Sequence, residues 1–331
     1  MRPEHRSRML IRQDTRRYAN RKYAFAWLRV ASRILFLVLL SACGAQSTAP
    51  AATNAPVATS APVAATSAPA ATSAPAATSA PEATTAPAAQ TTELIVFAAA
   101  SLTGAFTEIG KNFEAANPGT KVTFNFAGSQ QLAQQIGQGA PADVFASANN
   151  TQMNVVIRSG EVISGTQRTF VRNRLVVIYP KDNPAHISTL KDLANPGTKI
   201  VIAAKAVPVG QYALDFLAKA SKMPEYTDTY SPTVLANVVS YEQDVKAVLS
   251  KVTLGEADAG IVYVTDISLD DADKVGKLDI PDNLNTIASY PIATIKDSKN
   301  ADLAKKFMDY ILSAEAQTVL VKYGFMCVAA C

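Results

Sequence analysis

The chain has 331 residues, of which 48% are hydrophobic, and a formal net charge of +4, so it is long enough for two modest domains. Residues 1–42 hold 10 of the 31 Lys and Arg residues and 2 of the 27 Asp and Glu residues. The remainder therefore carries −4, which excludes the basic surface that a nucleic-acid partner requires. The chain has three cysteines, which are too few for a disulfide framework. It has two histidines, and only His186 lies beyond residue 42. This argues against a metal site and a Ser-His-Asp triad.

Residues 1–43 have the organisation of a secretory signal. A basic stretch precedes the apolar run 34–40 (ILFLVLL), which is much shorter than the roughly 20 residues of a membrane span. The run ends in Leu40-Ser41-Ala42-Cys43, which resembles a bacterial lipobox. That resemblance implies cleavage before Cys43 and attachment of lipid to its sulfur, and the alternative is an ordinary signal with an incidental cysteine. We therefore expect export and a lipid anchor at the outer face of the cell membrane, or a periplasmic location.

Residues 44–92 have the composition of a disordered linker. The unit TSAPAA recurs through Ala, Thr, Ser and Pro residues, with too little apolar surface to offset the entropy of folding. As a coil the segment would span roughly 40 Å. It would therefore act as a spacer between the anchor and the folded part of the chain.

From residue 93 onward, strand and helix patterns alternate, which predicts an α/β fold with mostly parallel sheets and helices on both faces. The closing residues 301–312 and 313–321 read as helices, the second with Ser313 as its N-cap. The predicted strands are residues 94–98, 122–126, 142–146, 174–179, 199–203, 234–239 and 259–264.

Four turns share one form, in which a strand is followed by small or polar residues and then by the start of a helix. They contain Ser101, Ser129, Val209-Gly210 and Asp244-Val245. The start of a helix offers unpaired N–H groups and a partial positive charge, which suits an anion. A serine in any one of these turns can equally be a simple helix cap. Because ligands collect at the carboxyl ends of parallel strands, the four turns together predict a site for a small oxyanion.

A family resemblance rests on seven separated segments. In chain order they are VFAAASL, FAGSQQLAQQI, GAPADVFASA, VPVGQYA, EQDV, GIVY and AQTVLVKYGF. They resemble the molybdate-binding component of ABC transporters over about residues 93–325. The resemblance implies a type II periplasmic-binding-protein fold, with lobe 1 formed by residues 93–172 and 293–325, lobe 2 by residues 173–292, and a tail at 326–331. The two crossing segments are expected near residues 172–175 and 290–293.

The resemblance also implies a set of ligand-binding residues. Ser101 and Ser129 would contact the anion through hydroxyl and amide groups, Val209 and Val245 through backbone N–H groups, and Tyr263 through its phenol. Gly128 stands where a serine is common in the family, and Val209 stands where alanine is common.

The chemistry of the five predicted ligand-binding residues suits molybdate, because none of them is charged. A fully ionised dianion needs only donors, whereas phosphate would also need an acceptor. Asp244 is the acidic residue nearest to the predicted site, and we interpret it as a helix cap. Asp143 reads as structural.

The primary hypothesis is a lipid-anchored receptor for molybdate, with tungstate as an alternative, that serves an ABC permease and its ATPase. We expect a monomer that has no resident cofactor, no protein-ligated metal and no catalytic residue. One alternative is a receptor or sensor for another oxyanion such as sulfate. Another is an enzyme on a similar two-lobed fold, which would need a base beside a nucleophile. Whether Cys327 and Cys331 pair is left open.

Overall fold

The computed structural model describes residues 91–268 and 271–328. The predicted signal, Cys43, almost all of the predicted linker and Cys331 lie outside the described residues. Cys327 is disulfide-bonded. None of the described helices has the length and apolar character needed to span a bilayer.

A six-stranded sheet forms the first half of the fold. Its strand order is β11-β4-β10-β3-β1-β2, with β1 parallel to β2 and β3, and with antiparallel pairs β10–β3, β10–β4 and β11–β4. The bounds of these strands are β1 Thr92–Ala99, β2 Thr120–Ala127, β3 Val144–Ala146, β4 Arg168–Asn173, β10 Ala288–Thr294 and β11 Met326–Cys327.

A five-stranded sheet forms the second half. Its order is β7-β6-β8-β5-β9, with β6 parallel to β7 and β8, and with β5 antiparallel to β8 and β9. The bounds are β5 Leu175–Pro180, β6 Ile200–Ala203, β7 Val238–Glu242, β8 Ala259–Tyr263 and β9 Val275–Asp279. The predicted α/β class is confirmed. The sheets are mixed rather than mostly parallel. The chain enters the five-stranded sheet at β5 and re-enters the six-stranded sheet at β10, and both of these strands pair antiparallel with their neighbours.

Eight α-helices lie in the described part of the chain, and amphipathic spacing explains their packing. In the first helix Phe106, Ile109 and Phe113 recur at helical spacing, and all three are buried. The Phe106 ring packs against Phe170, with centroids 5.7 Å apart, and makes further contacts with Phe124 and Phe307. The helices are α1 Thr103–Ala116, α2 Ser129–Gly137, α3 Asn150–Arg158, α4 Pro208–Ala220, α5 Tyr230–Ala236, α6 Val245–Thr253, α7 Ala301–Ile311 and α8 Ala314–Lys322.

Helix ends follow the capping rules in several places. Ser313 accepts a hydrogen bond from the Ala316 N–H, as predicted for an N-cap. Residues 234–239 were predicted to form a strand, and this prediction was wrong: α5 continues to Ala236 and β7 begins at Val238. The reason is that Tyr230 and Val234, four residues apart, bury one face of a short helix, and Pro232 is tolerated in its first turn.

The chain changes sheets twice. At the first crossing only Arg174 separates β4 from β5, which falls within the predicted residues 172–175. The second crossing occupies residues 280–287, between β9 and β10. The prediction of 290–293 was wrong, because those residues lie inside β10. Pro291 reads as a strand breaker, but it lies at an irregularity in the register with β4, where proline is tolerated.

Candidate functional site

A small cavity lies where the turns of the two sheets face each other, and all five predicted ligand-binding residues line it. Its empty volume is about 210 Å³, a figure that includes space open to solvent. The lining residues from the six-stranded side are Ala99, Ala100, Ser101, Ala127, Gly128, Ser129 and Ala148, and those from the five-stranded side are Val207, Pro208, Val209, Asp244, Val245 and Tyr263.

Sheet register explains why residues distant in sequence meet at this cavity. In the parallel pair β1–β2, Ala99 lies opposite Ala127, so the turns that carry Ser101 and Ser129 leave the same edge side by side. In the parallel pair β6–β7, Ala203 lies opposite Glu242. The starts of α4 and α6 are therefore also neighbours at the carboxyl edge of their sheet, where α/β folds bind ligands.

Three helices begin at the cavity. Ser129 is the first residue of α2, Val209 the second residue of α4 and Val245 the first residue of α6. First-turn N–H groups have no carbonyl partner within their own helix, and the helix dipole places partial positive charge there. Among the described residues that line the cavity there is no Lys or Arg, and Asp244 is the charged residue. The groups that could donate to an anion there are therefore backbone N–H groups and neutral hydroxyls.

The Ser129 hydroxyl is arranged as a donor towards the cavity. Its Oγ accepts a hydrogen bond from the Ala148 N–H at 3.0 Å, and the side chain is buried. Because a hydroxyl has one proton and this contact uses only a lone pair, the proton of Ser129 stays available to a ligand.

The Tyr263 hydroxyl is buried and has no hydrogen-bond partner among the described residues. Burial, together with the neighbouring Tyr290 and Tyr212, raises its pKa well above the usual value for a phenol, so the group stays protonated. A buried polar group without a partner is costly. Its position at the cavity wall fits a donor whose partner is a ligand.

Two carboxylates lie near the cavity: Asp244 is among the residues that line it, and Asp266 contacts the backbone of Tyr263. Asp244 is the N-cap of α6, where its Oδ1 accepts from the Ala247 N–H at 3.0 Å, so the cap interpretation is confirmed. Asp266, which sequence reasoning missed, is fully buried and accepts from the Tyr263 N–H at 3.0 Å. Burial raises its pKa to about 6, although Lys246 Nζ lies 3.6 Å from its Oδ1.

Asp143 has the structural role that the sequence suggests. Its Oδ2 accepts from the Ile95 N–H at 2.7 Å and its Oδ1 accepts from the Ser298 hydroxyl at 2.6 Å. It therefore ties β1 to the segment before α7, and it is not among the residues that line the cavity.

Two side-chain amides connect the two halves beside the cavity, and neither was found from the sequence. Gln130 Nε2 donates to the Gln243 carbonyl at 2.7 Å, and Gln152 Nε2 donates to the Ala206 carbonyl at 3.1 Å. A Cβ atom at Gly128 would lie 2.5 Å from the Gln243 carbonyl oxygen. Glycine at this position therefore permits the close approach of the two halves.

Two helix-flanked sheets, with a small cavity between them that presents hydroxyl groups and helix starts, define the type II periplasmic-binding-protein fold. Residues 94–326 match the family described as bacterial extracellular solute-binding protein. The chain belongs to that family, which is one of solute-binding receptors.

Similar proteins are known by sequence and by structure. The chain is 39% identical over 232 residues to the molybdate-binding protein ModA of Mycobacterium tuberculosis, which covers 70% of this chain and 84% of that protein. The periplasmic molybdate-binding protein of Azotobacter vinelandii has a similar fold, with a TM-score of 0.61 and 21% identity over 71% of this chain and 100% of that one. The sulfate-binding protein SubI of Mycobacterium tuberculosis gives a TM-score of 0.63 and 18% identity over 72% and 87%.

Proposed function

We propose that the protein is an extracytoplasmic receptor that captures molybdate, with tungstate as the closest alternative, for an ABC importer. The observation that carries this proposal is that Ser101, Ser129, Val209, Val245 and Tyr263 line one small cavity without a charged side chain among them. The 39% identity to a protein named for molybdate binding supports the choice of anion.

The chemistry of the cavity matches a fully ionised tetrahedral oxyanion. Such an anion offers only acceptors, and hydrogen bonds to a charged group are short and strong. The two serine hydroxyls and the Tyr263 phenol would donate from side chains, and Val209 and Val245 would donate from the backbone. An organic acid is disfavoured, because a carboxylate usually requires an arginine clamp.

Binding would favour the closed arrangement of the two halves. Donors come from both sheets, so an anion in the cavity is fully coordinated only when both halves are close to it. Ligand would therefore shift the population towards the closed state, in which Gln130 and Gln152 bridge the halves. The proposed lobes are built on the six-stranded sheet and on the five-stranded sheet, so the expected boundary at residues 292/293 moves to the crossing at 280–287, before β10.

We further propose that Cys43 carries the lipid anchor, that residues 44–92 form the spacer and that the receptor acts as a monomer with a permease and its ATPase. In this scheme the protein has no catalytic residue and needs no resident cofactor or protein-ligated metal. The family's extracellular role is consistent with the export that the signal predicts.

Calorimetric titration of the full chain with molybdate, tungstate, sulfate and phosphate in parallel tests the proposal. We expect tight binding of molybdate and tungstate, weaker binding of sulfate and none of phosphate. Preferred binding of sulfate would instead support the second candidate, a sulfate receptor, which the fold shared with SubI favours. Absence of heat with all four anions would refute the oxyanion site.

A further inference from the structure

A chain of hydrogen bonds lies behind Ser101, on the side away from the cavity. Ser101 Oγ and Tyr290 Oη are 2.8 Å apart. Asn173 Nδ2 donates to Tyr290 Oη at 3.3 Å and to Thr265 Oγ1 at 2.7 Å. Asn173 is the last residue of β4, immediately before the first crossing between the sheets. The chain of hydrogen bonds therefore connects the cavity residue Ser101 to the first crossing between the sheets.

The direction of each hydrogen bond follows from counting protons. Asn173 Oδ1 accepts from the Arg174 N–H at 2.9 Å, so the atom that faces Tyr290 is the amide nitrogen, which can only donate. Tyr290 Oη thus accepts from Asn173. Among the described residues, its own single proton has one partner within normal hydrogen-bond distance and angle, the Oγ of Ser101, although the Tyr263 hydroxyl lies beside it. If Ser101 donated instead, the buried proton of Tyr290 would have no acceptor in such geometry, at a cost that buried polar groups rarely bear.

We propose that Tyr290, held by Asn173, donates its proton to Ser101 Oγ and so directs the single proton of Ser101 towards the bound oxyanion. This inference rests on the proposed function, because it assumes that the anion binds in the cavity. The hydroxyl of Ser101 keeps its proton for the anion, while one of its two lone pairs is engaged by Tyr290. Ser129 has the same arrangement, with the Ala148 N–H in place of the phenol.

Burial makes this arrangement durable. Tyr290 and Asn173 are fully buried, and Ser101 is 4% exposed, so water does not compete for these contacts. Burial also raises the pKa of Tyr290 above the usual range of a phenol, which keeps its proton in place. Tyr290 is not among the residues that line the cavity, so it acts on the ligand through Ser101 and is a positioning residue.

The hydrogen bond from Tyr290 to Ser101 should influence which anions the cavity binds. A hydrogen phosphate ion carries a proton that needs an acceptor, and Ser101 and Ser129 each have one of their two lone pairs engaged and their proton directed at the anion. Removing the Tyr290 hydroxyl would free the Ser101 oxygen to accept that proton. The variant should therefore lose affinity for molybdate while losing less, or gaining, affinity for phosphate.

A double-mutant cycle on the full chain tests the inference. Tyr290→Phe should weaken molybdate binding about tenfold in the wild-type background, the scale of one hydrogen bond. In the Ser101→Ala background the same change should alter Kd by less than about twofold, because the residue through which it acts is gone. The ratio of phosphate Kd to molybdate Kd should fall in Tyr290→Phe. Tyr230→Phe is the matched control, since Tyr230 is buried and donates to the Leu190 carbonyl away from the cavity.

Equal losses in both backgrounds would mean that Tyr290 acts only through packing, and would overturn the inference, as would an unchanged Kd in Tyr290→Phe. Asn173→Ala provides a second route if Tyr290→Phe folds poorly. It frees Tyr290 to accept from Ser101, so it should also weaken molybdate binding only where Ser101 is present. If the proposed function itself were wrong, the wild-type chain would bind no molybdate at all. That result is distinguishable from a failure of the inference about Tyr290.

Discussion

Replacing Tyr263 by phenylalanine should have opposite effects on stability and on affinity. In the described structure the Tyr263 hydroxyl is buried without a partner, so its removal should stabilise the ligand-free protein. The same hydroxyl is a proposed donor to the anion, so its removal should weaken binding. A residue with a purely structural role would not show both changes.

The magnitudes follow from the two environments of this hydroxyl. An unsatisfied buried polar group costs roughly 1–3 kcal/mol, and the ring of phenylalanine keeps the contacts with Tyr212 and Tyr290, whose centroids lie 6.5 and 5.8 Å away. We expect the free energy of unfolding to rise by about 1 kcal/mol, which is about 2–4 °C in Tm for a folded body of this size. The lost hydrogen bond to a charged ligand is worth about 1.5–3 kcal/mol, or roughly a 10- to 150-fold weaker Kd.

Thermal unfolding without ligand and calorimetry with molybdate measure the two effects separately. Tyr230→Phe is the control, because the Tyr230 hydroxyl has a carbonyl partner at Leu190. That variant should lose stability and keep its affinity. If Tyr263→Phe lowered Tm and left the molybdate Kd unchanged, the hydroxyl would belong to the core and the assignment of Tyr263 to the site would be refuted.

Three further changes probe other parts of the site and its pH dependence. Gly128→Ala should weaken molybdate binding more than about tenfold, because the new Cβ would meet the Gln243 carbonyl at 2.5 Å and oppose closure. The control is Gly137→Ala at the last position of α2, where a Cβ meets open space. Equal affinities in the two variants would contradict the explanation. Ser129→Ala should weaken binding by about 1.5–3 kcal/mol and also lower stability, because it leaves the Ala148 N–H unpaired; calorimetry and thermal unfolding would show both. The pKa of Asp266 is raised from 3.8 to about 6. Its contribution to the free energy of unfolding is therefore most favourable below pH 4 and is lost as the pH rises through 6, by on the order of 3 kcal/mol. In urea unfolding at pH 4.5 and 7.5, Asp266→Asn should lose less stability than wild type when the pH is raised, and equal losses would show that the buried carboxyl does not titrate in this range.

Much of the fold can be predicted from local sequence patterns, and the misses have a common cause. A buried apolar run predicted β1, the alternation of apolar and polar residues predicted β2, and small residues predicted the turns after them, because these are local properties. Strand direction is not local: β10 returns from the other sheet, so its antiparallel pairing with β3 and β4 depends on the path of the chain. Pro291 argued against a strand, and only a register irregularity in the folded sheet accommodates it.

The cavity residues could be predicted in part for the same reason. Ser129 and Val245 lie at helix starts, which sequence can find. Tyr290 could not be found, because its contact with Ser101 joins positions 189 residues apart. The contact between Gln130 and Gln243 spans 113 residues. Such partners carry no periodic signal in the sequence, since one side chain is enough to make each contact.

The hydrogen-bond donors and acceptors around the cavity limit which anions the site can discriminate. Ser129 accepts from the Ala148 N–H, and Ser101 accepts from Tyr290 in the arrangement we propose, so each oxygen has one of its two lone pairs engaged. If an anion that keeps a proton left that proton unmatched in the closed cavity, the cost would be roughly 1–3 kcal/mol, which disfavours the anion by about 5- to 150-fold. Sulfate and molybdate are both fully ionised at neutral pH, so this cost does not separate them. Discrimination between these two must therefore come from the size of the cavity and the distance between the two halves, for which the absence of a side chain at Gly128 leaves room beside the Gln243 carbonyl.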